Sequence, residues 1–462
     1  MDLKLIIFCL VAFLGAPLGA LACRAYPPLT RAFVILLVWS TCEPYKTGMN
    51  FLSREFYRSA SRGVEVTMSD ICAIILFLYL LMRNGARNLC WRPPLTVVFW
   101  IYFGVGLISW TQVGPSIPVP PEATLVPYPR FEVGLYPLFE LVKLLRGFFL
   151  YFVLVNYLQE KGAYKSLAWA LALAVLYMGV SALMSRYIDG VNRVKVTLGH
   201  ANSLATYMAM MGTMIFSMAL YTRKWAITAG AGFLTMLALL GVILTISRGG
   251  LVGLAVGLLI VTAALLPRYT NVKNLLLLMA GVVAVCVVIA IAADTLAARF
   301  FGKQDAAADL EYRGLYNSEA KLMAKERTFG VGLANFSAWS WTRYGAMVDP
   351  DLPPGTPAHN VWFLNLGELG YPGLCAFILF WGRWLFLLGL PGLAGGPKDM
   401  PHALRVGATA SIFVCHVQSA LQLGYRQTPL FLMLMIFLAI VSAVHLGDRR
   451  AKQLAAPAAA AA

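Results

Sequence analysis

Thr245–Pro267 reads TISRGGLVGLAVGLLIVTAALLP. No charged residue occurs between Gly249 and Leu266. As a helix, that run rises about 1.5 Å per residue and so nearly spans a bilayer core of about 30 Å. Backbone in lipid can hydrogen-bond only to itself, so the run is read as a helix. One guanidinium, Arg248, stands at its mouth between Ser247 and two glycines. Comparable apolar runs extend in both directions, near 3–22, 31–42, 68–82, 95–112, 134–158, 165–186, 203–221, 224–246, 272–294, 360–389, 403–422 and 427–446. They are continuous rather than alternating, which excludes a closed β-barrel. The fold class is therefore all-α: a polytopic helical membrane protein of about 12–13 transmembrane helices, the stretch 31–42 being short.

Composition agrees. Of 462 residues, 60% are hydrophobic and 13% charged, and mean hydropathy is +0.72. A soluble domain of this length would need more charge to cover its surface. Residues 1–22 resemble a signal peptide, with Lys4, an apolar core and Gly19-Ala20-Leu21-Ala22. Because many spans follow, they are read as a retained first helix. The net charge of +16 arises from 37 basic and 21 acidic residues. The basic clusters Arg83/Arg87/Arg92, Arg223/Lys224, Arg268/Lys273, Lys398/Arg405 and Arg449/Arg450/Lys452 fall on one common side, counted back from the C-terminus, and that side is assigned to the cytoplasm. There is no basic soluble domain to support nucleic-acid binding. Eight cysteines lie within or beside the apolar runs without a CxxC pair, which supports neither a zinc site nor a disulfide framework.

Four segments then share the opposite side. One is Val113–Arg130, whose six prolines rule out a regular helix. The others are Ser185–Asn202, the turn Ser247-Arg248-Gly249-Gly250, and a long loop before Asn360. The organisation reads as an N-terminal helix bundle over 1–294, a large loop over 295–359, C-terminal helices over 360–446 and a tail over 447–462 expected to be disordered. The loop's aromatic and apolar content predicts that it folds, with Leu310–Arg327 an amphipathic helix presenting Tyr312, Leu315, Tyr316 and Met323. Gly330-Val331-Gly332 ends that helix. Trp339 and Trp341 suit a membrane interface or a sugar ring, and Pro353–Pro357 is a rigid turn leading to His359-Asn360.

Arg248 needs a partner at the edge of two apolar spans, and a phosphate suits a guanidinium; an arginine snorkelling to lipid headgroups is the plainer alternative. Arg313, among Asp309, Glu311 and Glu319, reads by itself as a surface ion pair. Of five histidines, only His200 and His359 fall on the side opposite the basic clusters, each followed closely by an asparagine (Asn202 and Asn360). Such an imidazole can take a proton from a sugar hydroxyl near neutral pH, or act only as a hydrogen-bonded interface residue. Glu140, Lys143 and Arg146 recur every three residues on one span, either pairing with one another or lining a polar cavity. Glu368, about two turns beyond His359, is positioned to orient a basic group. Asp349-Pro350-Asp351 is a weak metal signal. No Walker-type phosphate loop and no Gly-x-Ser-x-Gly elbow occurs.

Together, Leu198-Gly199-His200-Ala201-Asn202-Ser203-Leu204-Ala205, Thr245–Gly250, Arg313 and its helix, Gly330–Phe336, and His359-Asn360 with Glu368-Leu369-Gly370 resemble the O-antigen ligase and Wzy-type polymerase family of bacterial envelope proteins. The resemblance covers about 195–385; further upstream it rests on hydropathy. It implies a GT-C-like membrane fold and an inverting, metal-independent glycosyltransferase without a cofactor. The donor would be a glycan on undecaprenyl pyrophosphate and the acceptor lipid A-core or another lipid-linked glycan. The setting implied is the bacterial inner membrane, with the site facing the periplasm. Carried over to this chain, Arg248 and Arg313 hold the donor pyrophosphate and His359 is the general base, with His200, Asn202, Asn360, Glu368 and Arg146 expected to bind substrate. Two departures are the short second span and His200, which stands where many relatives have another polar residue. A lipid-linked glycan flippase, a protein O-oligosaccharyltransferase and a non-catalytic subunit of an envelope assembly remain the alternative readings.

Overall fold

The computed structural model describes residues 3–52, 63–113, 117–118, 130–131, 134–291, 303–353, 355–394 and 396–460. Its helices are α1 (Leu3–Leu10), α2 (Ala16–Ala25), α3 (Thr30–Cys42), α4 (Met68–Asn84), α5 (Thr96–Thr111), α6 (Leu135–Tyr157), α7 (Ala163–Tyr187), α8 (Ala201–Tyr221), α9 (Trp225–Leu244), α10 (Arg248–Leu265), α11 (Val272–Ile291), α12 (Lys303–Glu326), α13 (Val361–Trp384), α14 (Met400–Ser419) and α15 (Thr428–Ala460), with shorter turns between them. The helical polytopic architecture read from the sequence is the one observed. Among the described residues, seven helices are long and apolar enough to cross a membrane, and three further apolar helices are shorter. The Pro-rich stretch contributes a two-residue pairing of Ile117–Pro118 with Arg130–Phe131; its remaining residues after Val113 lie outside the described set, as do 292–302 of the long loop.

α8 is the centre of the bundle, with 94% of its apolar window buried. It packs against α9, α10 and α14. Small residues allow that closeness. A Cβ added at Gly250 would stand 2.6 Å from the Ala205 Cβ, and one at Gly253 3.3 Å from Val414 Cγ1. One stripe of α10 is therefore wedged between α8 and α14. The basic clusters gather at the other end of the bundle. There Arg405 Nη1 meets Asp448 Oδ2 at 3.0 Å, and Arg268 Nη2 donates to the Leu393 carbonyl at 3.1 Å.

The long loop returns to the bundle because α13 is broken. Gly370 has φ +66° and ψ −166°, and Pro372 follows inside the helix. Proline brings no N–H to the helical ladder and crowds the carbonyl four residues back, that of Glu368. The loop supplies what the break removes. Val331 N donates to the Gly367 carbonyl at 3.1 Å and Gly332 N to the Glu368 carbonyl at 2.8 Å, while Ser109 Oγ of α5 donates to Glu368 O at 3.3 Å. Gly330 and Gly370 both have positive φ. A side chain at Gly370 would collide with the Thr328 carbonyl oxygen, and one at Gly330 with the Glu368 carbonyl. Gly330-Val331-Gly332 is thus a docking strand for the broken helix rather than only a helix stop.

Around that seam the loop builds its own core. Tyr316, Ala320, Met323, Val331, Phe336, Trp339, Tyr344, Leu352, Ala358 and Leu364 pack together. α12 is the amphipathic helix expected over 310–327, with one shift of face: Tyr312 is 40% exposed and Leu315 only half-buried. Trp339 does not present its face outward. It is 9% exposed, with the Arg327 guanidinium 4.1 Å over its ring, and so serves the loop core instead of a sugar surface. Glu319 is fully buried in α12. Burial pushes its carboxyl up to about 8, with the Ser340 hydroxyl pulling weakly the other way.

Gly370→Ala is expected to undock residues 328–333 from α13 and lower the thermal unfolding temperature of the purified protein. The positive-φ, extended-ψ backbone, which essentially only glycine adopts, alone costs about 1–3 kcal/mol before the collision with Thr328 is counted. An unchanged melting temperature and unchanged protease resistance of the loop would show that the seam does not hold it. A second expectation follows from Glu319. Its carboxyl titrates near 4.5 when unfolded and near 8 when folded, so the folded loop holds a proton that the unfolded chain has lost. Stability from this group is complete below 4.5 and declines as pH rises towards 8. Glu319→Gln should flatten that slope in melts recorded from pH 5 to 8.

Candidate functional site

The turn that carries Arg248 is shaped before the arginine is placed. α9 ends at Leu244, Ile246 takes φ +52°, and Ser247 caps α10 by accepting from Gly250 N at 3.2 Å. A Cβ at Gly249 would stand 2.7 Å from Gln418 Oε1 and 3.4 Å from Leu421 Cδ1. The glycine lets the start of α10 seat directly on the C-terminal turn of α14. Arg248, half-buried, therefore opens its helix where α8, α10 and α14 meet.

The mouth of α8 adjoins this turn. His200 caps α8, its Nδ1 accepting from Asn202 N at 3.1 Å, so Nδ1 carries the lone pair. Partial burial first, and the charges of Arg193 and Lys195 next, hold the imidazole below its ordinary value. Asn202 Oδ1 accepts from Arg193 Nη2 at 3.0 Å, and Arg193 Nε donates to the Thr245 carbonyl at 3.3 Å. Thr206 Oγ1 donates to the Asn202 carbonyl at 2.8 Å. Gln422 Nε2 reaches Thr206 Oγ1 at 3.5 Å and Gln418 Oε1 at 2.5 Å. A polar seam thus runs from the α8 mouth to the end of α14, beside Gly249.

The loop helix joins the same place from above. Arg313 Nη1 donates to the Leu421 carbonyl at 3.2 Å, a favourable setting for a cation just past the C-terminus of α14. One turn further along α12, the Tyr316 ring lies 6.4 Å from that of His359 in an edge-on arrangement, and Tyr316 Oη donates to the Pro353 carbonyl at 3.3 Å. Asn360 caps α13 by accepting from Trp362 N at 2.9 Å. The structure therefore brings the Arg248 turn and Arg313 to Gln418–Leu421, the His200–Asn202 mouth beside them through Thr206 and Gln422, and His359 with Asn360 to the same end of the bundle through Tyr316. The helix starts at Ala201, Arg248 and Val361 open at this end, each capped by a side chain, His200, Ser247 and Asn360 respectively, so the positive ends of three helix dipoles point there.

Two candidates lie elsewhere. Arg146 is paired within the bundle: Nε donates to Asp70 Oδ1 at 3.0 Å and Nη2 to Asp70 Oδ2 at 2.6 Å. Asp70 also completes the capping box of α4 with Thr67, which gives Arg146 a structural role. Glu368, 1% exposed, does orient a basic group, but that group is Arg426 and not His359. Arg426 Nη2 donates to Glu368 Oε2, and its Nη1 meets Glu140 Oε2 at 3.3 Å. Lys143 Nζ completes the cluster, 2.6 Å from Glu140 Oε1 and 2.8 Å from the Arg426 carbonyl. Glu140 and Lys143 thus pair internally. Asp349 Oδ1 accepts from Asp351 N at 2.9 Å, closing a local turn. Among the described residues, no three His, Cys, Asp or Glu side chains gather as a metal site would require.

Arg193, Gln418, Gln422 and Arg426 were not singled out from the sequence. Gln418 and Gln422 carry a readable signal, a polar pair one helical turn apart at the end of an apolar span. Arg426 has none, because its partners are distant in the chain. Buried charge clusters of this kind are expensive to break from one side, so Arg426→Met should cost about 3–5 kcal/mol of stability. Removing Glu368 as well, in Arg426→Met/Glu368→Leu, should recover part of that loss in thermal melts. A double variant less stable than the single would contradict the pairing.

A family model described as O-antigen ligase matches residues 233–378, about one third of the chain. The matched segment holds Arg248, Arg313, His359, Asn360 and Glu368 and the whole seam between the loop and α13. His200, Asn202 and the α14 end lie outside it. A search of curated proteins finds no match. Over residues 233–378, then, this multi-pass helical membrane protein is similar to the O-antigen ligase family.

Proposed function

We propose that the protein transfers or polymerises a glycan carried on undecaprenyl pyrophosphate, as an inverting, metal-independent glycosyltransferase working at the periplasmic face of a bacterial inner membrane. The observation that carries this reading is the common anchor of the cations. The Arg248 turn and Arg313 both rest on the end of α14, at Gln418 and Leu421, and the His359 ring lies edge-on to Tyr316, one helical turn along α12 from Arg313. A diphosphate needs that pattern of charge and an acceptor hydroxyl needs a base beside it.

In the reaction, the acceptor hydroxyl attacks the anomeric carbon of the donor sugar and gives its proton to the His359 imidazole. The bond from the anomeric carbon to the pyrophosphate oxygen breaks on the opposite face, so the configuration inverts. Undecaprenyl pyrophosphate leaves with the bonding electrons, and Arg248 and Arg313 stabilise the charge that develops on it. The guanidinium groups supply that stabilisation, and the leaving group is already good, so the step calls on no metal. Asn202 and Asn360 frame the entrance, while Glu368 acts from below by fixing Arg426 and the Glu140–Lys143 pair. The acceptor is lipid A-core for a ligase or another lipid-linked repeat for a polymerase. A flippase drew its support from the charged span of α6, and those charges are occupied by Arg426 and Asp70.

Arg248→Ala, Arg313→Ala and His359→Ala should each lower transfer by about 10²–10³-fold or more while the protein still inserts and melts normally. The assay incubates purified protein with undecaprenyl-pyrophosphate glycan and, in separate reactions, lipid A-core, peptide and lipid-linked acceptors. Full transfer by all three variants would reject the assignment; movement of lipid-linked glycan across vesicles with no new glycosidic bond would favour a flippase.

A further inference from the structure

The strap that precedes α8 is fastened to the Arg248 turn at two points. Val194 N donates to the Leu244 carbonyl at 3.2 Å, and Arg193 Nε donates to the next carbonyl, that of Thr245, at 3.3 Å. Val194 is fully buried, so the strap is seated and not merely laid across the surface. From the same guanidinium, Nη2 donates to Asn202 Oδ1 at 3.0 Å. Arg193 is therefore the side chain that joins the last turn of α9 to the first turn of α8. Ile246, directly after the Thr245 carbonyl it holds, is a β-branched residue at φ +52°. That conformation is unfavourable for an isoleucine and persists only where its surroundings impose it. Two residues later the chain presents Arg248.

We infer that Arg193 is a donor-positioning residue: its guanidinium fixes the spacing between the Asn202 amide and the Arg248 turn, and so sets the width of the opening into which a lipid pyrophosphate fits. The inference rests on the function proposed above but names a residue outside the matched family segment, on a loop whose role was read only through His200 and Asn202. The geometry explains why an arginine stands here. A lysine keeps the charge and three donors, but they leave one nitrogen and lack the planar fork that aims Nε and Nη2 in fixed, separate directions. The position is also exposed. An exposed arginine spanning a carbonyl and an amide oxygen adds little to global stability, so its loss should be felt in the site more than in the fold.

The test measures binding of undecaprenyl pyrophosphate, without glycan, to the full-length protein in nanodiscs. The variants are Arg193→Ala, Arg193→Lys, Asn202→Ala, Arg193→Ala/Asn202→Ala and Arg248→Ala, each with a thermal melt. Arg193→Ala and Arg193→Lys should both weaken binding by about tenfold or more with little change in melting, since small misplacements of a binding group are costly. Arg193 and Asn202 act as one unit, so the double variant should bind about as weakly as the worse single variant. Wild-type affinity in Arg193→Ala and Arg193→Lys, alongside weakened binding in Arg248→Ala, would overturn the role of Arg193 and leave the proposed function standing. Full retention of binding by Arg193→Lys alone would show that charge, not the fork, is what matters, and would equally overturn it. Undiminished binding by Arg248→Ala would remove the proposed function itself.

Discussion

The break in α13 sets the position of everything above it. A helix interrupted at Gly370 and Pro372 leaves the carbonyls of Gly367 and Glu368 without their usual donors, deep among apolar side chains where water cannot replace them. The main-chain N–H groups of Val331 and Gly332 fill those places, which forces the long loop to fold back onto the bundle. With Gly330 and Gly370 too close to carry side chains, the loop has one seat. α12, Arg313 and the chain leading to His359 are placed from that seat.

The C-terminal turn of α14 is the second fixed point. It receives the glycines of α10, the polar seam from α8 and the guanidinium of Arg313. A few residues later the same turn sends Arg426 downward to Glu140 and Glu368. Positive charge near the open end is thus tied to a buried, internally paired cluster one layer deeper. Arg313 donates to the Leu421 carbonyl, and Arg193 to the Thr245 carbonyl and the Asn202 amide oxygen. Carbonyl partners fix the direction in which a guanidinium points.

Much of the site was legible because its residues interrupt strong patterns. A lone arginine at the start of a charge-free run, a histidine after a proline turn and an amphipathic helix between apolar spans all stand out against hydropathy alone. What misled was proximity along the helix. Glu140, Lys143 and Arg146 look like one stripe, yet Arg146 turns to Asp70 while the other two join Arg426. Glu368 seemed placed to serve His359 because both open the same helix, but two turns carry it well inside the bundle. Trp339 looked like a sugar platform, since composition cannot say which face of an indole is already covered.

The sequence by itself determined that the chain is a helical membrane protein, roughly where most of its helices lie, and which polar residues share one end. Lipid enforces those features locally, through the length of apolar runs and the need of each backbone segment to bond to itself. The sequence missed that the last helix runs on to Ala460, through the tail expected to be disordered, and that α13 is broken at Gly370. Only the tertiary structure decided which partners each charge takes, that a glycine pair locks the loop to α13, and that Arg193, Gln418 and Arg426 belong with the site. Those are contacts between residues tens to hundreds of positions apart, chosen by packing and by the cost of leaving a buried polar group unmatched, and no local pattern in the chain records them.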